Sequence, residues 1–184
     1  MNFSNVKEIT CWRNFTLEGK VYDLSHLNAS WIEYVDQRNA DNQIIYKFIV
    51  TYGLHCFTKD VQGISREEYQ LLMYHAPKES RPFNFERYEF SKQLPTIIKS
   101  LASKETLVCH AGHGKYAVVK LLNSKGCEVS YFVVFAAFRE SKRLRLHIQS
   151  AYPLDKELGK VQKVNFFVIA KNLLSNQNLP RPHK

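Results

Sequence analysis

Two short stretches of the chain carry side chains able to work on a phosphodiester. In CHAGHGK, residues 109–115, His110 and His113 stand three residues apart with Lys115 close behind, and Gly112 and Gly114 loosen the backbone between them. In KRLRLHIQSAY, residues 142–152, Arg143, Arg145, His147 and Gln149 share one parity, while Leu144, Leu146, Ile148 and Tyr152 share the other. Cleaving RNA without a metal needs a base for the 2′-hydroxyl proton, an acid for the leaving oxygen, and cations around the phosphorane. Histidine supplies acid and base near neutral pH with little tuning. Arginine matches phosphate with paired donors. The expectation is that His147, with His110 or His113 as its partner, moves the protons. Arg143, Arg145 and Lys115 hold the phosphate, and Tyr152 stacks a base. The plain alternatives are a wet outer strand face and a glycine-bearing strand connection.

This chemistry calls for no metal and no cofactor. His55, Cys56, Cys109, His110 and His113 are acceptable zinc ligand types, yet no CxxC or HxxxH pair is present, and adjacent residues on a strand point to opposite faces. Asp23 and His26 in YDLSHL have no nucleophile beside them; a turn residue and a partly buried histidine account for them. The sequence lacks a Walker loop, GxGxxG, GxSxG and HExxH, which disfavours nucleotide hydrolases, Rossmann enzymes, serine hydrolases and zincins.

Strict alternation over residues 142–152 predicts a β-strand with a cationic row on its open face. Upstream, residues 10–17 and 20–24 form a possible hairpin around Glu18-Gly19. Residues 30–35 and 43–52 form a second hairpin across DQRNADN, and the last of these segments is apolar enough to be central. SREEYQLLM, from Ser65, opens with a capping box, so it reads as a short helix. FERYEFSKQLPTIIKSLASKE repeats Phe90, Leu94, Ile97, Ile98 and Leu101 at helical spacing, with Pro95 kinking it or starting a second helix. The remainder reads as a meander of strands at 106–110, 115–122, 127–138, 142–152 and 161–173. The fold class is therefore α+β: an N-terminal antiparallel portion, then a helix on a basic antiparallel sheet of four to five strands.

At 184 residues the chain is long enough for one large domain or two small ones. Residues 1–76 carry seven Lys/Arg against nine Asp/Glu, a net of −2; residues 77–184 carry nineteen against eight, a net of +11. The proline-bearing HAPKESRP marks the boundary between a β-rich portion, 1–76, and a basic portion, 77–184, which together make one continuous domain or two. A net charge of +9 points to an anionic partner, with RNA favoured, and the basic portion is the part that meets it. No apolar run reaches the roughly 18 residues of a membrane helix, and no secretory signal opens the chain. With four unpaired-looking cysteines, the default is a cytoplasmic protein with no membrane partner.

The run LRLHIQSAYPLD, then KVNFFVIAKNLL and a tail with LPRP, together with YDLSHL, HCFT and RYEFSKQLP, resembles an uncharacterised family of small bacterial proteins often carried on prophages and plasmids. That resemblance implies no particular activity. More loosely, a helix followed by a basic antiparallel sheet is similar to the toxin ribonucleases of toxin–antitoxin systems. Carried over by residue type, Arg143, Arg145, His147 and Tyr152 would form the cleaving face, with an antitoxin or host protein as a further partner. The alternative is a non-catalytic module binding nucleic acid or protein through the same face.

Overall fold

A computed structural model describes residues 3, 5–38, 42–124, 127–154 and 159–182, with backbone alone at 121–124 and 127. The chain runs through β1 (Phe15–Leu17), β2 (Lys20–Tyr22), β3 (Ser30–Asp36), β4 (Ile44–His55), α1 (Arg66–Leu71), β5 (Met73–His75), β6 (Ser80–Pro82), α2 (Phe85–Ser91) and α3 (Leu94–Lys99). It continues through β7 (Leu107–Gly112), β8 (Lys115–Ser124), β9 (Cys127–Glu140), β10 (Arg143–Pro153) and α4 (Phe166–Leu174). Six strands make one sheet in the order β3–β4–β10–β9–β8–β7. Its pairs are antiparallel except β4 with β10, which run parallel. The sheet thus draws β3 and β4 from the acidic portion and the other four strands from the basic one.

One face of the sheet carries the helices. Tyr46, Phe48, Val50 and Tyr52 of β4, Leu144, Leu146 and Ile148 of β10, and Tyr131, Val133 and Phe135 of β9 are all buried there. α4 lays Phe166 against Tyr34 and Phe48, with ring centroids 4.6 and 5.8 Å apart. Phe90 of α2 stacks on Tyr131 at 5.2 Å, and the Tyr34 hydroxyl donates to the Ile98 carbonyl of α3 at 2.6 Å. These apolar contacts are the main stabilising term of the fold.

Local signals explain the helices. Ser65 accepts from the Glu68 amide and Asn84 from the Arg87 amide, satisfying donors that have no partner within the helix. Pro95 splits the long segment, sitting in the first turn of α3, where its missing N–H is not needed. The segment 161–173, expected as a fifth strand, is different. Only Lys163 and its neighbours pair with the edge at Cys109, and the chain then turns into α4. Asn165 caps that helix, and Phe166, Phe167, Ile169, Ala170 and Leu173 recur at helical spacing, so the helix can bury one side.

β10 contains a bulge. Ile148 pairs with Phe135 and Ser150 with Val134, leaving Gln149 as the extra residue. The bulge reverses the alternation: Ala151 goes under the helices, while Tyr152 stands opposite Phe132, on the same face as His147. The expectation that Tyr152 lies opposite to His147 fails for this reason. The neighbouring strand accommodates the bulge with Gly53, where a Cβ would sit 2.9 Å from the Gln149 carbonyl oxygen and 3.2 Å from that of Ile148. Gly53→Ala is expected to destabilise the fold by about 1–3 kcal/mol through this overpacking. Urea denaturation measures it; an unchanged midpoint would mean that the bulge yields without resistance.

Candidate functional site

The sheet face away from the helices carries the chemistry. On it stand Ile49 and Thr51 of β4, Arg145 and His147 of β10, and Phe132, Val134, Ala136 and Phe138 of β9. The expected open row of cations is not there. Residues 5–12 form a strap across β4 and β10, and Arg145 is only 1% exposed. Its guanidinium donates to Glu8 of the strap and, at 2.5 Å, to Glu140 at the end of β9. It also lies over the Phe138 ring, 5.3 Å from the centroid. Two carboxylates already neutralise Arg145, and its burial keeps the guanidinium out of reach of a phosphate. Arg143 is exposed, at the start of β10, just after the two-residue turn Ser141-Lys142 with φ of 48° and 64°.

His147 is half-buried beside the strap, with Nδ1 3.0 Å from the Thr51 hydroxyl. Burial holds its pKa below the ordinary 6.5, the neighbouring Glu8 and Arg145 charges acting in opposite senses. Burial lowers His26 in the same way, where Nε2 meets the Ser91 hydroxyl at 2.8 Å. Both rings are therefore neutral in the fold at pH values where the unfolded chain binds protons. Their contribution is complete above about pH 6.5 and is lost as the pH falls through that value towards the folded pKa. The urea midpoint should decrease between about pH 7 and pH 5, and His147→Gln should flatten part of that slope. A midpoint that held constant would show that burial does not set the charge of these rings.

Next to His147 the face opens into a cleft of about 710 Å³ between the strap, the end of β4 and the loop at 76–79. Its walls combine apolar Ile9, Trp12, Leu54 and Pro77 with polar Gln149, His147, His55 and Lys78. Glu79 also lines it, but is engaged by His55 at 3.2 Å and Arg81 at 3.4 Å.

The other expected residues lie elsewhere. β7 and β10 are separated by three strand spacings, about 14 Å. His110 pairs opposite Tyr116, with the rings 5.4 Å apart, which puts it on the helix side of the sheet. It is therefore not placed to act with His147. His113 sits exposed at the tip of the β7–β8 turn with φ of 48°. Lys115 opens β8 at the same end of the sheet as Arg143, so both can touch one extended anion but not a single phosphate. Tyr152 lies 5.8 Å from Phe132, and the Arg87 guanidinium covers one side of its ring at 5.4 Å.

The zinc set is also dispersed. Cys56 is fully buried, donates weakly to the Ile148 carbonyl at 3.7 Å, and has its thiol pushed up to about 12 by burial. Cys109 is buried on β7 and meets the Ala117 carbonyl at 3.6 Å. Among the described residues, no group of three or more His, Cys, Asp or Glu is placed to hold a metal. Asp23 accepts from the Ser25 amide and hydroxyl, as a turn residue does. No helix among the described residues is long and apolar enough to cross a membrane.

Sequence reasoning missed Glu8, Thr51, Trp12 and Phe132. Phe132 was accessible from parity within β9; the strap residues gave no local signal.

Residues 14–174 match the model of the YjaZ family. The chain is similar to protein YjaZ of Escherichia coli (strain K12), 48% identical over 182 residues, which is 97% of this chain and 99% of that protein. No solved structure matches.

Proposed function

The chain belongs to the YjaZ family, and from that premise and the geometry of the strap face we propose that it binds single-stranded RNA without cleaving it. The bulge at Gln149 is the observation that carries this reading. It turns Tyr152 onto the face of His147 beside Phe132, with Arg143 and Lys115 at the far end. A sheet face with half-exposed aromatics and outlying cations suits an unpaired strand: bases stack on rings, and phosphates meet the charges. The net charge of +9 favours such a partner.

The ribonuclease reading asks for two proton-transfer groups and a free arginine at one phosphate. Here His110 stands on the other side of the sheet, His113 at a turn tip, and Arg145 between two carboxylates. Binding is the better supported of the two.

The test is a titration of labelled single-stranded RNA, read by fluorescence anisotropy in EDTA, with the RNA then run on a denaturing gel. Intact RNA and saturable binding that weakens with salt are expected. Arg143→Glu with Lys115→Glu should flatten the salt dependence by about 0.7 for each cation lost. Phe132→Ala with Tyr152→Ala should remove about 1–3 kcal/mol per stacked base. No retained RNA would overturn the reading and leave the half-exposed Val119, Val134 and Ala136 as a surface for an acidic protein partner. Cleavage abolished by His147→Ala would restore the ribonuclease.

A further inference from the structure

The two edges of the six-stranded sheet are finished differently. At β7 the chain closes the edge itself: the His110 amide donates to the Gln162 carbonyl at 3.0 Å, and the Val164 amide donates to the Val108 carbonyl at 2.9 Å. At β3 the strap reaches only the first end, where the Ala29 amide donates to the Thr10 carbonyl at 2.8 Å. Beyond that point, among the described residues, no backbone group of residues 31–36 is bonded on the side away from β4. No other strand or helix runs beside that edge. Unpaired amides and carbonyls are costly away from water, so the edge faces solvent. Trp31 is accordingly half-exposed, and Glu33 and Val35 are exposed.

Natural edges are blunted by proline, by lysine or by a bulge, and β3 (SWIEYVD) has none of these. Its pairing with β4 is unbroken over seven residues. On the face away from the helices Val35 stands opposite Ile45, the two being 40% and 59% exposed. The end of the edge runs into a groove of about 850 Å³. Val35 and Arg38 line it from β3, residues 101–108 from the approach to β7, and residues 163–167 from the start of α4. Arg38 is held by Asp36 at 2.6 Å. Lys104 and Lys163 are exposed, and among the described residues neither is in an ion pair. Against them stands Glu105, the carboxylate among the described lining residues.

The open edge and the charged groove point to one kind of partner. An open edge takes an extended segment by main-chain pairing, and alternate side chains of that segment then face the two sides of the sheet. Those on the outer face would meet Trp31 and Val35, which suits apolar groups. Those on the helix side would reach Lys104 and Lys163 in the groove, which suits carboxylates. We propose that β3 is a docking edge for an extended acidic segment of a partner protein, which adds a seventh strand and lays its carboxylates in the groove. A second copy of the chain fits less well, because antiparallel self-pairing over the whole of β3 sets Glu33 against its own counterpart. The site shares no residue with Phe132, Tyr152, Arg143 or Lys115, so it stands whether or not the chain binds RNA.

The test uses the full chain and labelled peptides as long as β3, seven residues, read by fluorescence anisotropy. One peptide alternates glutamate and valine; a second replaces each glutamate by lysine. Two more are the glutamate peptide N-methylated at one or the other alternate set of amides. The glutamate peptide should bind saturably, and the lysine peptide should not. One methylated peptide should lose affinity by about tenfold or more, since its methyl groups face β3, while the other keeps it. Lys104→Glu with Lys163→Glu should weaken binding by about tenfold or more, and Glu105→Gln should tighten it. All three side chains are exposed, so these variants keep the fold. Hydrogen exchange of amides within 31–36 should slow when the glutamate peptide is saturating.

Failure of the glutamate peptide to bind would overturn the proposal. Equal affinity of both methylated peptides would overturn it too, as charge alone would then hold the peptide. Lysine-peptide binding as tight as that of the glutamate peptide would remove the acidic partner. Protection of the 31–36 amides in the free protein, together with a dimer in sedimentation, would show that a second copy already fills the edge.

Discussion

Replacing Glu8 and Glu140 together by glutamine is expected to lower stability by about 3–5 kcal/mol, the usual loss when a buried charge is stripped of its partners. Arg145 would keep its charge, since guanidinium does not deprotonate in proteins, yet its side chain is only 2% exposed and has nowhere to reach water. Adding Arg145→Met to the pair should restore much of the loss, because an apolar side chain of similar length over Phe138 needs no counter-ion. Urea denaturation of the double and triple variants measures both effects. A loss under about 1 kcal/mol in the double variant would mean that water already solvates Arg145, and that the strap is not fastened by charge.

Trp12→Ala should cost a similar amount, about 3–5 kcal/mol for emptying a buried aromatic site. Trp12 fixes the other end of the strap. Its ring meets Phe57 edge-on at 4.9 Å and Tyr74 at 6.0 Å, while its backbone amide donates to the Asn28 side chain at 2.8 Å. The strap therefore has an ionic fastening at Glu8 and an aromatic one at Trp12, four residues apart. Losing either frees much of what the other holds, so the combined variant should be less destabilised than the sum of the two. Strict additivity would show that the two fastenings act independently.

Local features of this fold were legible in the sequence. The β3–β4 hairpin, the capped helix at Ser65, the break at Pro95 and the meander from β7 to β10 each depend on neighbours in the chain. Residues 161–173 were misread because a dense run of Val, Phe and Ile satisfies both strand composition and helical spacing; Asn165, capping the Phe167 amide at 2.9 Å, was the discriminating signal.

The site was legible only in part. Parity placed Arg143, Arg145 and His147 on one face. The partner that covers Arg145 lies 137 residues upstream, and nothing in the sequence around Glu8 marks it. The bulge is equally silent in IQSAY, since its counterpart is a glycine on a strand from the other end of the chain. Pairings between distant segments decide which side chains stay free, and those pairings were the part that local patterns do not encode.

The parallel pairing of β4 with β10 has a further consequence, for synthesis. Thr51 and His147, facing partners in that pair, are separated by 96 residues. At about 5–20 residues per second, the ribosome needs roughly 5–20 s to deliver the second strand after the first. Throughout that interval β4, with Phe48, Val50 and Tyr52, can pair with β3 on one side only. A nascent chain halted before residue 143 should accordingly remain open to protease, and release of the last forty residues should protect the first fifty. The first strands of the six-stranded sheet are thus completed almost last, and the growing polypeptide presents an unpaired apolar edge through about half of its translation.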